Sequence, residues 1–317
     1  MSNMSSRIPF ALPARDESGH KGTFGTVWAV GGSASAPRVM LGAPALSAMG
    51  ALRAGAGLTV LVMPAPILAA GLTIAPTATG LALPVDERGA IRASDAAQLM
   101  DEMRLKKGMK CDCLAIGPGM GVGEAQMQML ARLMSQGDVP MVIDADGLNT
   151  LAEMREGLKE IRGPVVMTPH PGEFAKLAKA ANVKWEMSER DEDRKRAAEE
   201  LAQKAGCVVV LKGARTVTTD GHRSHINTTG NAALATAGSG DVLTGVIAGL
   251  IAQFANKGLG LFECAAIGVH VHGLAGDAWA GRHGTAGMLA SDLLDVLPDV
   301  MKRAREERSN SERAENG

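Results

Sequence analysis

The sequence predicts an α/β protein, a three-layer sandwich with a mostly parallel central sheet and helices on both faces. Three observations predict it. The β-prone runs are short, rich in Val and Ile, and continuous rather than alternating, the pattern of strands buried on both faces. Helical stretches separate them, as in βαβ units. Several runs end in a glycine turn, where open α/β sheets place their ligands.

Taken in order, "TVWAVGG" (Thr26–Gly32) is the first strand and "GAPALSAMGALRAGAGL" (Gly42–Leu58) a small-residue helix closed by glycine. "TVLVMP" (Thr59–Pro64) is the next strand, and a helix is expected from Ser94 to Lys106. "CLAIGPGMG" (Cys113–Gly121) reads as strand then glycine turn, and "VPMVIDADGLN" (Val139–Asn149), "PVVMTPHPGE" (Pro164–Glu173) and "CVVVLKG" (Cys207–Gly213) repeat the design. "SERDEDRKRAAEE" (Ser188–Glu200) reads as a solvated helix face. "TVTTDGHRSHINTT" (Thr216–Thr229) carries a D-G turn between β-prone segments, hence an antiparallel hairpin. Three helices follow, near Asp241–Phe254, Leu261–Ala280 and Ser291–Arg305. One domain is expected over residues 20–304, with a flexible segment at 1–19 and a polar, disordered tail at 305–317.

Composition bounds the function. The 317 residues carry a formal net charge of −1, 46% hydrophobic residues, 3% aromatic residues and no Tyr. A large core is expected. Neither nucleic acid nor an anionic membrane is an expected partner, because both attract basic surfaces, and single-stranded nucleic acid wants aromatic platforms. The N-terminus lacks a secretory apolar region, and no apolar run approaches the ~20 residues that span a bilayer. A cytoplasmic location is expected. Cys111, Cys113, Cys207 and Cys264 form no C-x-x-C pair and read as thiols of a reducing compartment.

The chemistry is expected at the strand ends. "TAGSGDVLTG" places Asp241 directly after Gly238-Ser239-Gly240 at the start of an apolar helix. The first N–H groups of a helix have no intrahelical partner, so this turn is an anion hole, and Asp241 is either a helix cap or a base beside a phosphate. Lys212 ends a buried strand and needs a partner, either a phosphate or a carboxylate. His170 sits between prolines that fix its backbone. Asp144 and Asp146 end another strand, where carboxylates can hold Mg²⁺, though Asp146 also suits a helix cap. His270 and His272 are two apart and fall on different helix faces, and His222 and His225 flank the hairpin turn, so neither pair makes a metal site. No Walker or dinucleotide-binding glycine fingerprint is present.

With "HKGTFGTVWAVGGS", "IGPGMG", "DADGLN", "TPHPGE", "LKGARTV" and "GNAALATAGSGDVLTGVIAGLIAQ", the chain resembles the ADP/ATP-dependent NAD(P)H-hydrate dehydratases of the ribokinase-like superfamily, from about His20 to Arg303. The resemblance implies a ribokinase-like fold and a repair enzyme. That enzyme would dehydrate the S-epimer of hydrated NADH or NADPH at the expense of ADP, giving AMP and phosphate. It implies hydrate binding by Ala43, Gly119, Gly121, His170 and Asp241, with Asp241 catalytic. Nucleotide binding falls to Lys212, Gly213, Ala214, Arg215, Thr216 and Gly240. It also implies Mg²⁺, ADP (or ATP) as co-substrate, a homo-oligomer, a tetramer by family expectation, and either a separate epimerase protein or epimers that equilibrate unaided. The chain departs from the family at Met120, in a turn that also lacks the family's Arg, and the family's epimerase domain is not expected here. Two rivals stand beside this expectation, a vitamin-precursor kinase that leaves a stable phosphate ester and a silent nucleotide-binding regulator.

Overall fold

The computed structural model describes residues 12–315 apart from 93–109, 136, 189 and 256, with side chains described through residue 306. The helix expected from Ser94 to Lys106 lies outside the described residues. The strands are β1 Thr26–Val30, β2 Leu58–Pro64, β3 Thr79–Leu83, β4 Cys113–Ile116, β5 Met141–Ile143, β6 Val165–Met167, β7 Val208–Leu211, β8 Val217–Thr219 and β9 Ser224–Ile226. They form one sheet in the order β3-β2-β1-β4-β5-β6-β7-β8-β9. Pairing is parallel from β3 through β7 and antiparallel for the last two strands.

The helices are α1 Gly42–Arg53, α2 Ala65–Ile74, α3 Glu124–Met134, α4 Asp146–Glu153, α5 Pro171–Ala180, α6 Asp191–Ala205, α7 Ser239–Phe254, α8 Leu261–His283 and α9 Ala290–Glu315. Alternate residues of each strand point to opposite faces, and the core divides accordingly. Val27, Ala115, Val142, Val166 and Val210 pack against α1, α7, α8 and α9. Trp28, Ile116, Ile143, Met167 and Leu211 pack against α3, α4, α5 and α6. Ala29, Leu61 and Met63 extend the first face beneath α2. The expected three layers are present.

Helix α7 is the central element. Thirteen of its residues are buried, including Val242, Leu243, Val246, Ile247 and Leu250. It lies so close on α1 that a Cβ at Gly245 would run into the Ser47 carbonyl. Ser47 Oγ also donates to the Asp241 carbonyl at 2.9 Å. The first turn of α7 is therefore clamped in place by α1.

The expected hairpin is β8–β9, and its turn is held by Asp220 Oδ1, which accepts from the N–H groups of His222 at 3.0 Å and Arg223 at 2.7 Å. Several elements escape sequence reasoning, and two of them for a plain reason. Helix α2 (APILAAGLTI) is apolar all round with a glycine inside it, so it lacks a helical stripe, and β3 (TGLAL) is a largely exposed edge strand. At the ends, Leu12 is fully buried and the Arg15 guanidinium stacks on Phe24 at 3.6 Å, two anchors within the segment expected to be flexible, whose residues 14–18 are exposed. Helix α9 runs to Glu315, into the expected tail. Extending an existing helix needs no new nucleus, and the segment is rich in Arg and Glu, which propagate well. No helix among the described residues is long and apolar enough to cross a membrane.

Candidate active site

The carboxyl ends of β1, β4, β5, β6 and β7 converge on the N-terminus of α7. Sheet order reverses at β1, which lies between β2 and β4, and a crevice opens at such a switch point. Gly238 is the N-cap of α7 with φ +88°, a conformation that glycine adopts without strain. A Cβ there would also strike Leu46 and Ala290. Of the three expected anion-hole residues, Ser239 turns inward: its N–H reaches the Thr236 carbonyl at 3.3 Å, and its side chain is buried. The first-turn N–H of Gly240 has no partner among the described hydrogen bonds.

Ser239 faces His272, which the sequence sets aside as a metal ligand and gives no other role. His272 Nε2 lies 3.0 Å from the Ser239 carbonyl and 3.3 Å from its Oγ. Burial pushes the His272 pKa down to about 4, which keeps the ring neutral. The carbonyl contact requires the proton on Nε2. His272 thus braces the glycine turn and lies behind it, not in the crevice.

Asp241 is in the first turn of α7. Its pKa is pushed up to about 7, first by burial and then by the Asp144 charge, with Lys212 pulling the other way and Glu173 and Asp146 adding to the rise. A carboxyl poised there exchanges a proton near neutrality, which suits a general base.

Lys212 Nζ meets Asp144 Oδ1 at 2.7 Å and Glu173 Oε2 at 3.9 Å. The carboxylate partner left open by the sequence is therefore Asp144. Burial alone would lower the ammonium pKa, but Asp144 and then Glu173 outweigh it and leave it raised. Asp144 is itself 1% exposed and also accepts from Thr244 Oγ1 at 2.7 Å. Lys212 remains beside the Gly238–Gly240 turn, since a Cβ on Gly240 would sit 3.5 Å from Nζ. Glu173 is raised by burial first, with the Asp144 charge adding to it and Lys212 opposing.

His170 is the N-cap of α5, its Nδ1 accepting from Gly172 N–H at 3.0 Å while Glu173 Oε2 accepts from the His170 N–H at 2.8 Å. The ring stays 56% exposed, with Nε2 lying 3.3 Å from Glu173 Oε1. Asp146 begins α4 without capping it; its carboxylate accepts from Gly121 N–H at 2.9 Å and ties the glycine turn after β4 to the site. Met120 is buried in the core, so the residue in which the chain departs from the family pattern does not face the crevice. Ala43 and Gly119 adjoin: a Cβ on Gly119 would lie 3.7 Å from that of Ala43. Gly213, Ala214, Arg215 and Thr216 form the β7–β8 connection, with Arg215 at φ +59° and paired to Asp191 at 2.6 Å.

Among the described residues no group of three or more His, Cys, Asp or Glu side chains could hold a metal on its own. Asp144 and Glu173 carry hard carboxylate oxygens, whose present partners are Lys212, Thr244 and His170. That suits Mg²⁺, which keeps water and phosphate oxygens and takes only one or two carboxylates. The four cysteines are free, and burial raises the thiol pKa of Cys111, Cys113, Cys207 and Cys264, which disfavours the reactive thiolate.

A family model described as NAD(P)H-hydrate dehydratase matches residues 28–299. The chain is 42% identical to a bifunctional NAD(P)H-hydrate repair enzyme of Moorella thermoacetica, over 93% of this chain and 53% of that protein. It spans about half the length of the bifunctional relatives it matches. It is 33% identical to the ADP-dependent (S)-NAD(P)H-hydrate dehydratase of Bacillus subtilis, over 92% of this chain and 94% of that one. A crystal structure of the ADP/ATP-dependent NAD(P)H-hydrate dehydratase from Bacillus subtilis, co-crystallised with ATP and Mg²⁺, superposes with a TM-score of 0.74 at 32% identity, covering 93% and 95% of the two chains. Matched over most of its length by this model and these relatives, the chain belongs to the NAD(P)H-hydrate dehydratase family.

Proposed function

We propose that the protein dehydrates the S-epimer of hydrated NADH and NADPH at the expense of ADP, releasing the restored cofactor, AMP and phosphate. The observation that carries the proposal is Asp241, a carboxyl pushed up to about 7 in the first turn of α7 with Lys212 beside it. A base of that pKa matches an alcohol that must lose its proton only as it attacks phosphorus. Hydroxide is a poor leaving group, and a phosphate ester is a good one.

In the proposed sequence the ring hydroxyl, placed by Ala43, Gly119, Gly121 and His170, gives its proton to Asp241 as its oxygen bonds to the terminal phosphorus of ADP. The bond from that phosphorus to the bridging oxygen breaks, and AMP departs. Gly240 N–H, the start of α7 and Lys212 stabilise charge on the transferring group. The ring nitrogen lone pair then expels phosphate, and loss of a proton from the neighbouring carbon restores the dihydronicotinamide. The loop Lys212–Thr216 holds the nucleotide. When bound beside Asp144 and Glu173, Mg²⁺ would neutralise polyphosphate charge.

The test is to mix the protein with hydrated NADH, Mg²⁺ and either ADP or ATP, and to follow dihydronicotinamide absorbance. Absorbance should rise faster with ADP, with AMP, phosphate and NADH formed in equal amounts. A persistent phosphorylated alcohol without NADH would overturn the dehydratase reading in favour of a kinase.

A further inference from the structure

Arg194 lies in the charged run that the sequence reads as solvated, yet it is 6% exposed. A buried guanidinium is costly unless its donors are satisfied. Its bonds go to main-chain carbonyls of one segment. Nη1 donates to Ala214 O at 2.7 Å and Arg215 O at 3.1 Å, and Nη2 donates to Leu211 O at 3.3 Å and Lys212 O at 3.2 Å. Its neighbour Asp191, at the start of the same helix, holds the Arg215 side chain.

The consequence follows from peptide geometry. In a planar trans peptide the C=O and the next N–H point in opposite directions. Drawing the carbonyls of Lys212, Ala214 and Arg215 onto Arg194 turns the N–H groups of Gly213, Arg215 and Thr216 away from it. None of these N–H groups donates in any described hydrogen bond. Arg215 at φ +59° lies in the left-handed region that, next to a right-handed neighbour, gathers successive N–H groups into an anion-binding concavity.

We infer that Arg194 is the positioning residue of the nucleotide loop: by gathering four carbonyls from beneath, it aims the loop's N–H groups at the phosphates of a nucleoside diphosphate. The inference rests on the nucleotide role proposed above for Lys212–Thr216. It deepens that role by naming a residue that acts through the loop and touches no substrate. Lysine cannot replace it, because a single ammonium lacks the planar fork that spans carbonyls on both sides of Gly213. A side chain at Gly213 is excluded for the same reason, since its Cβ would lie 2.8 Å from Nη2.

The experiment compares the parent with Arg194→Lys and Arg194→Met. Each is titrated with ADP by calorimetry, assayed for KM of ADP and of the hydrate, and melted thermally. Arg194→Lys should weaken ADP binding roughly tenfold, the scale of a lost set of charge-assisted hydrogen bonds. KM for ADP should rise while KM for the hydrate stays put. If both variants bind ADP like the parent and only melt earlier, Arg194 is purely structural and the inference is overturned. A proportional rise in both KM values, or failure of both variants to fold, overturns it equally. If the parent binds ADP but restores no NADH, the dehydratase proposal falls, while ADP affinity still decides the role of Arg194. If the parent does not bind ADP at all, both fall.

Discussion

Replacing Asp241 with Asn should remove turnover and stabilise the protein at the same time. The carboxyl shifts from 3.8 to about 7 on folding, so its ionised form is held against a penalty. At about 1.36 kcal/mol per unit, three units correspond to about 4 kcal/mol. The helix start favours the charge by only about 0.3–1 kcal/mol, so burial wins. Water reaches this partly buried group, which trims the gain expected at pH 8 to roughly 2–4 kcal/mol. The sign follows from linkage. The folded pKa lies above the unfolded one, so the wild-type contribution is full below pH 3.8 and is lost as pH rises through about 7. Asn carries no charge to desolvate. The Asp241→Asn variant should therefore melt roughly 4–8 °C higher than wild type at pH 8, with the difference fading towards pH 4. Its turnover should drop by about 10²–10⁴-fold, the usual loss on removing a general base. Thermal melts at both pH values, run beside the NADH-recovery assay, read the two effects independently. A variant that melts lower at pH 8 and turns over normally would mean that Asp241 merely caps α7.

Lys212→Met should leave Asp144 buried without its cation and cost about 3–5 kcal/mol, read by urea unfolding; the double variant with Asp144→Asn should recover part of it, and no recovery would refute the pairing. Lys212 also pulls the Asp241 pKa down, so in any active Lys212 variant the acid limb of the pH–rate profile should move to higher pH. His272 titrates at about 4 when folded against 6.5 unfolded, so wild-type stability should be full above pH 6.5 and fall by about 3 kcal/mol as pH drops through 4. His272→Gln should flatten that slope, and an unchanged slope would assign it to other groups. Gly245→Ala should cost about 1–3 kcal/mol by forcing α7 off α1, and it should lower turnover too, because the Asp241 turn moves with the helix; an unaltered Tm would show that the two helices can part freely.

Much of this architecture is legible in the sequence for one reason. A parallel strand buried on both faces must be apolar at successive positions, so β1, β2, β4, β5, β6 and β7 announce themselves as continuous runs. The hairpin is legible through its D-G turn. Helix α2 and strand β3 are not, because neither has the periodicity that a half-buried element shows. At the site, Asp241, Lys212 and His170 are legible from their place at strand ends. Their partners are not: Lys212 meets Asp144 from 68 residues away, and Thr244 reaches it from 100. Arg194 had a signal that its charged neighbours masked. It stands three, four and seven residues before Ala197, Ala198 and Leu201, so it belongs to the buried stripe of α6. His272 had none, since α8 is buried nearly all round and its apolar pattern marks no face.

The feature furthest from the sequence is the balance of charge around Asp241, the proposed base. Asp144, Glu173 and Asp146 each push the Asp241 pKa up, and Lys212 alone pulls it down. Each of these residues ends a strand or begins a helix, so their meeting could be guessed from topology. Which side wins could not, because it depends on separations of a few ångströms and on how far water enters. Lys212 is only 18% exposed and is already engaged by Asp144 at 2.7 Å. Its charge is largely spent on that nearer carboxylate, and less of it reaches Asp241. The ion pair that first looks like an argument against a catalytic lysine therefore has a chemical consequence. By occupying Lys212, Asp144 leaves Asp241 under-compensated and holds it near neutrality, where a carboxylate of ordinary pKa would be too weak a base.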